Sequence, residues 1–292
     1  MSHDRTPVLL DWLTLVLLAV VWGASFLFIK RSVQVFEPVH MALWRMSLAT
    51  ALYVPIALAF WSRIDWKRWR PLIGVALFGS AIPNYFFAIA QQHVNSGLAG
   101  VLNALTPMFT LFLGFVLFRR APTFSKMWGV LVGLAGATLL VWSSTGGHFS
   151  GNLWYAGLCI LATMCYAMNA LLVNRYLADQ HPAGIASAAF MITGLFFLAG
   201  LWWSGAWSAA LAHERGAQAI GYIGYLAAVG TVGGSILYFW LIQRTSPVFA
   251  TSVTYLLPVV ALLIGFIDGE KVSAMDVAGT GIILAGVYLV RS

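Results

Sequence analysis

The stretch LTPMFTLFLGFVLF, Leu105 to Phe118, is apolar enough to sit in lipid, yet it carries a proline near its start and a glycine in its middle. A second stretch, LLPVVALLIGF, Leu256 to Phe266, repeats the pattern, with Pro258 and Gly265 in step with Pro107 and Gly114. Registering the chain on these prolines brings further positions into line. Gly114-Phe115 matches Gly265-Phe266 and, after a one-residue difference in the following loop, Gly129 matches Gly279 and Ala135-Gly136 matches Ala285-Gly286. Upstream, Gly79 falls opposite Gly230 and Gln92 opposite Gln243, while Trp22 precedes Pro38 by the same interval that separates Tyr166 from Pro182. Matches kept in order across two whole halves indicate an internal duplication.

Composition says what is duplicated. Hydrophobic residues make up 61% of the 292 and charged residues only 9%, against about 25% charged in soluble domains. A chain so poor in charge cannot cover a water-facing exterior, so its exterior faces lipid. Ten spans of about 20 residues fill its length: 10–29, 39–61, 71–91, 97–118, 126–143, 153–174, 184–204, 218–241, 248–267 and 276–290. The expected fold is an all-α integral membrane protein of ten transmembrane helices, arranged as two five-helix repeats, 1–147 and 148–292. Five is odd, so the second copy enters the membrane from the opposite side and the repeats are inverted. The first apolar run is of spanning length and lacks a small-x-small cleavage site, so no cleavable signal peptide is expected.

The net charge of +7 invites a nucleic-acid reading, which the placement of the charges opposes. Eleven Lys and Arg fall on the side shared by both termini, four on the other side (Lys30, Arg31, Arg215, Lys271), and Arg45 lies inside a span. That is the positive-inside pattern with both termini cytoplasmic, and it leaves no surplus calling for a nucleic acid. Trp61, Trp66, Trp69, Trp202, Trp203 and Trp207 cluster near span ends as interfacial belts do. Cys159 and Cys165 lie on one span, turned about 240° apart, and are not expected to pair.

Inverted repeats have a mechanical consequence. Two halves of one fold facing opposite ways can exchange conformations, turning an outward-open cavity into an inward-open one. Pro107 and Pro258 have two readings within such a machine. Each removes a backbone donor, which either frees carbonyls at a hinge beside a substrate or makes a tolerated kink. Asn103 and Thr106 stand just before Pro107, and Thr254 and Tyr255 just before Pro258.

The set VVWGASFLF in the first span, ALWRMSLAT in the second, the Leu-x-Pro…Gly-Phe pattern in spans four and nine, and the closing GEKVSAMDVAGTGIILAGVYLV resembles the drug/metabolite transporter superfamily, EamA type, over essentially the whole chain. The N-terminal half departs from it in having Arg119-Arg120 where the C-terminal half has Gly269-Glu270. The finer likeness is to bacterial exporters of amino acids, including the YddG-type aromatic amino-acid exporters. The resemblance implies export across the bacterial inner membrane and a substrate cavity formed mainly by spans 1, 3, 4, 6, 8 and 9. It places spans 5 and 10 at the periphery. Their glycines, Gly129, Gly133 and Gly136 against Gly279, Gly281 and Gly286, suit close backbone approach. Whether they join the two halves or two protomers, and so whether the protein is a monomer or a homodimer, the sequence leaves open.

All nine carboxylates sit in loops or near span ends. The small multidrug relatives in this superfamily use a glutamate embedded in the first span; here that region reads Trp22-Gly23-Ala24-Ser25, which argues against carboxylate-based exchange of cationic drugs for protons. The cavity-forming spans instead offer Trp22, Ser25 and Phe26, then Asn84 and Tyr85, Asn103, Tyr166 and Asn169, Tyr238, and Thr254 and Tyr255. Amides and hydroxyls bind ammonium and carboxylate ends, and rings stack on an apolar side chain, so this lining suits neutral zwitterions. Arg45 lies about 10 Å inside span 2 and has two readings, a partner for a substrate carboxylate, or a structural residue that snorkels to the interface or caps backbone carbonyls of a neighbouring span. The second is expected to prevail, because span 2 is not expected to line the cavity.

Other functions fit less well. A membrane transferase using Mg²⁺-diphosphate chemistry needs clustered aspartates, and the sequence has no Asp-x-x-Asp and no Cys/His metal spacing. No catalytic residue, metal or cofactor is therefore expected. A phosphate cargo would demand cavity lysines or arginines, which spans 3, 4, 8 and 9 lack. An exporter of neutral drugs remains the alternative to amino acids. The expected partners are a small-molecule substrate and membrane lipid.

Overall fold

The computed structural model describes residues 6–90, 92–94, 96–119, 121–144, 146–147, 152–267 and 273–290. They form ten helical spans in two sets of five. Nine are long and apolar enough to cross a membrane, among the described residues, and the tenth, Ala274–Val290, is a shorter apolar helix. Spans 1 and 2 are Leu9–Ser32 and Pro38–Phe60; span 5 is Phe124–Ser144; spans 6 and 7 are Leu153–Tyr176 and Pro182–Trp203. Pro38 and Pro182 each sit in the first turn of their helix, where the missing N–H has no helical acceptor to lose.

Spans 3 and 8 share an irregularity that periodicity does not announce. Span 3 runs Trp69–Ala76, widens into a π-helical segment at Leu77–Ala81, and resumes as Ile82–Ala90. Span 8 runs Gly216–Tyr225, widens at Leu226–Gly233, and resumes as Gly234–Arg244. In span 3, Pro83 cannot donate to the carbonyl of Gly79, and the backbone takes up the slack with Ile82 N–H donating five residues back to Leu77. Span 8 has no proline here; its freed carbonyls are taken by side chains of other helices, as described below. The two widened segments coincide in the repeat register, on Gly79 and Gly230.

Spans 4 and 9 are broken, and not at the same place. Span 4 is Ser96–Asn103 followed by Thr106–Phe118, with Pro107 in the first turn after the break. Span 9 is Pro247–Thr251 followed by Val253–Ile267, so Pro258 lies inside the longer piece rather than at its start. Hydroxyls set the second break: Thr251 Oγ1 donates to the carbonyl of Pro247 at 2.8 Å and Ser252 Oγ to that of Phe249 at 2.6 Å. Such side chains compete for the helical carbonyls.

The question left open about the glycines of spans 5 and 10 is answered within one chain. A Cβ on Gly129 would come 2.8 Å from the Gly286 carbonyl, one on Gly136 would come 2.9 Å from the Gly279 carbonyl, and one on Gly286 would come 2.3 Å from the Gly133 nitrogen. The two helices run antiparallel in backbone contact and bind one half to the other. Since Gly129 corresponds to Gly279 and Gly136 to Gly286, the contacts come as a pair with partners exchanged, as a two-fold axis perpendicular to the helices requires.

At the end of the bundle where span 1 starts, ion pairs cross between the halves. Asp11, fully buried, receives Arg244 Nε at 3.0 Å and also caps the backbone N–H of Val8 at 2.9 Å. Arg244 lies over the Trp240 ring, 4.4 Å from its centre. Arg68, between spans 2 and 3, donates to Asp179 at 2.8 Å and to the Tyr176 carbonyl at 2.9 Å. This guanidinium holds the Asp179 carboxyl below the usual carboxylate range. The opposite end closes on rings: Phe28 against Tyr225 at 4.5 Å and Trp44 against Trp207 at 4.6 Å. Asp11→Asn is expected to cost about 1–3 kcal/mol by leaving a partly buried guanidinium short of its anion, read as a lower thermal midpoint in detergent; an unchanged midpoint would mean the pair contributes nothing.

Candidate functional site

Where the two halves meet, contacts recur with partners exchanged. A Cβ on Gly230 would lie 3.2 Å from Ser25 Oγ, and one on Gly79 would lie 2.8 Å from Asn169 Oδ1; Ser25 and Asn169 are repeat mates, as are Gly79 and Gly230. Trp22 meets Tyr238 edge-on with ring centres 5.4 Å apart, and Tyr166 stacks on Phe87 at 6.1 Å. Phe87 stands in the repeat position of Tyr238. It was missed in the sequence reading, although extending the Gly79/Gly230 register by eight residues finds it.

These residues gather on the two widened segments. Trp22 Nε1 donates to the Gly230 carbonyl at 2.8 Å, and a Cβ on Gly234 would come 2.5 Å from that nitrogen. Tyr53 OH, from span 2, donates to the Val232 carbonyl at 3.2 Å. Arg45 Nε donates to Thr231 Oγ1 at 2.9 Å. A widened turn leaves carbonyls without helical donors, and in an apolar medium each must find one elsewhere. Span 8 is thus held open at Leu226–Gly233 by side chains of spans 1 and 2. This also corrects one expectation: span 2 reaches the seam, and Arg45 bonds a hydroxyl of the widened segment rather than snorkelling to the interface.

The remaining candidates divide. Asn84 turns back, its Nδ2 donating to the Ser80 carbonyl at 2.6 Å. Ser25 is 4% and Asn169 3% exposed, and the Oδ1 atoms of Asn169 and Asn103 are buried without a donor among the described residues. Thr106 and Thr254 spend their hydroxyls on the carbonyls of Asn103 and Thr251. Tyr255 leaves the group altogether: it is fully buried, its ring lies against Gly133, and its OH donates to the Val130 carbonyl at 3.0 Å, which makes it a packing residue of span 5. Tyr85 is 57% exposed and makes none of the seam contacts. Phe26 lies on span 1, and its side chain is outside the described residues. His40 meets the Ser204 carbonyl and His93 stacks on Tyr155, both near helix ends. Among the described residues, no group of three His, Cys, Asp or Glu could hold a metal.

Two clefts open at the ends of the bundle. One of about 560 Å³ is lined by Lys67, Arg68, Arg70 and Arg175 with Trp69 and Tyr176. The other, about 430 Å³, is lined by Arg31 and Arg215 with His213 and Tyr222 among its walls. Both mouths are cationic.

A two-repeat helical bundle whose seam carries amides, rings and the single guanidinium of Arg45 has the build of a membrane transporter. The chain belongs to the EamA-like transporter family, whose model matches it twice, over residues 11–142 and 153–292. It is 31% identical over 280 residues to the uncharacterized inner membrane transporter YedA of Escherichia coli, covering 94% of this chain and 88% of that one. It is 26% identical to a probable terminal-alkyne amino-acid exporter of Streptantibioticus cattleyicolor, over 95% of this chain and 92% of that one. An uncharacterized transporter of Archaeoglobus fulgidus is 26% identical over 96% and 98% of the two chains. A solved crystal structure shares the fold, with a TM-score of 0.73 at 16% identity, covering 96% of this chain and 95% of the other. The protein is a multi-pass membrane transporter and not an enzyme.

Proposed function

We propose that the protein exports small zwitterions, foremost aromatic and other neutral amino acids, across a bacterial inner membrane, with both termini cytoplasmic. Residues 1–147 and 148–292 act as two inverted units that alternate about the seam. The observation that carries this reading is the exchanged set of contacts, Trp22 with Tyr238 and Tyr166 with Phe87, Ser25 with Gly230 and Asn169 with Gly79. A substrate seated on the axis meets nearly the same surroundings from either half, as alternating access demands. Two amide oxygens, on Asn103 and Asn169, that are buried without a donor among the described residues suit an ammonium, and the rings suit an apolar side chain. The similarity to an amino-acid exporter points the same way. Each cycle breaks and reforms the pairs Asp11–Arg244 and Arg68–Asp179, which tie the halves at the terminal side.

Proteoliposomes loaded with labelled tryptophan are expected to release it several-fold faster than empty-vector vesicles, with saturation, with and without a pH gradient to reveal coupling. Release at the rate of protein-free vesicles removes amino acids as the cargo. The alternative of a neutral drug is favoured only if lipophilic uncharged compounds are released while tryptophan is not.

A further inference from the structure

Arg45 stands seven residues past Pro38, deep in span 2, and its side chain is half-buried rather than sealed in. Its Nε is taken by Thr231 Oγ1. Its Nη2 lies beside Gly230, 3.7 Å from where a Cβ would be, with Ser25 Oγ at the same glycine. Tyr166 of span 6 is within electrostatic reach of the guanidinium. Among the described residues no carboxylate pairs with Arg45, and its Nη1 and Nη2 donate no hydrogen bond. A cation at this depth is costly without a counter-charge.

The fold does not ask for that cation. Registered on Pro38 and Pro182, Arg45 falls opposite Ala189, which is 3% exposed and carries only a methyl group. Clasping Thr231 needs one N–H, whereas a guanidinium brings five in a planar fork that matches a carboxylate. The charge therefore sits on one side of an otherwise two-fold seam, beside Ser25 and Trp22, with its terminal nitrogens unclaimed.

We propose that Arg45 is the residue that recognises the substrate's carboxylate, its Nη1 and Nη2 receiving the two oxygens from the seam while Nε stays on Thr231. This rests on the amino-acid reading above and sharpens it: the cargo must carry a free carboxylate. Labelled tryptophan flux in proteoliposomes is competed with unlabelled tryptophan, tryptophanamide and tryptamine. The wild type is expected to favour tryptophan over both carboxylate-free analogues by about 10- to 100-fold, the range of a charge-assisted hydrogen-bonded pair. In Arg45→Gln that preference should shrink to about twofold or less, and in Arg45→Lys, which keeps the charge without the fork, it should fall in between. Wild-type flux with no preference overturns the proposal while leaving amino acids as the cargo, and it needs no variant to fold. Retention of the full preference in Arg45→Gln overturns it equally, returning Arg45 to a clasp on span 8. Absence of saturable tryptophan flux in the wild type overturns the cargo reading and this proposal with it.

Discussion

Gly286→Val is expected to strip the protein of folded material, or to lower its thermal midpoint in detergent by the equivalent of about 3 kcal/mol or more. The side chain introduced there would meet the Gly133 nitrogen at 2.3 Å, its Cα at 2.5 Å and the Gly129 carbonyl at 2.8 Å. All three are backbone atoms, so no rotamer change relieves the clash; spans 5 and 10 must separate, and with them the contact that joins the halves. In lipid, helices associate through such close packing rather than through hydrophobic burial, so the loss has no substitute. Gly281, on the same helix, is exposed and has nothing within 4 Å of a built Cβ. Gly281→Val should change the midpoint by about 0.5 kcal/mol or less. Equal melting of the two variants would dispose of the interlocked-backbone account.

Trp22→Ala is expected to lower flux by an order of magnitude or more per folded molecule. The change removes the donor to the Gly230 carbonyl, empties the space over Gly234 and deprives Tyr238 of its ring partner. A large-to-small change of this kind costs about 3–5 kcal/mol, so the comparison must be with a tryptophan of similar packing elsewhere. Trp12 supplies it, meeting Phe249 edge-on at 5.0 Å, ten residues before Trp22 on the same span and outside the exchanged set of contacts. Trp12→Ala should reduce folded yield but preserve flux per folded molecule, while Trp22→Phe, which keeps a ring and loses the N–H, should fall between. Full flux in Trp22→Ala would return that residue to helix packing.

Much of the architecture was legible in the sequence because lipid imposes it. Span lengths follow from bilayer thickness, and the order of Trp22, Gly79, Pro107 and Gly129 with their mates is a one-dimensional record of the duplication. What escaped was whatever depends on helices meeting. The widened turns of spans 3 and 8 leave no period, since those of span 8 exist only where Trp22 and Tyr53 supply donors from other helices. Tyr255 reads as a cavity residue beside Pro258, yet the void over Gly133 takes its ring. The break in span 9 was placed by proline and is set instead by the hydroxyls of Thr251 and Ser252. Asp11 and Arg244, far apart in the chain, gave no hint of each other. The reach of span 2 escaped for the same reason: it was expected to lie outside the seam, and the fold leans Arg45 inward to Thr231.

The mismatch between Arg45 and Ala189 shows what covalent fusion of two copies allows. In an assembly built from separate identical chains, every substitution near the dyad arises twice, and two guanidiniums facing each other in a low-dielectric interior would repel. Once both copies lie on one polypeptide they mutate independently, so a single ionic group can occupy the centre of a nearly symmetrical device and give a dipolar solute a preferred way round.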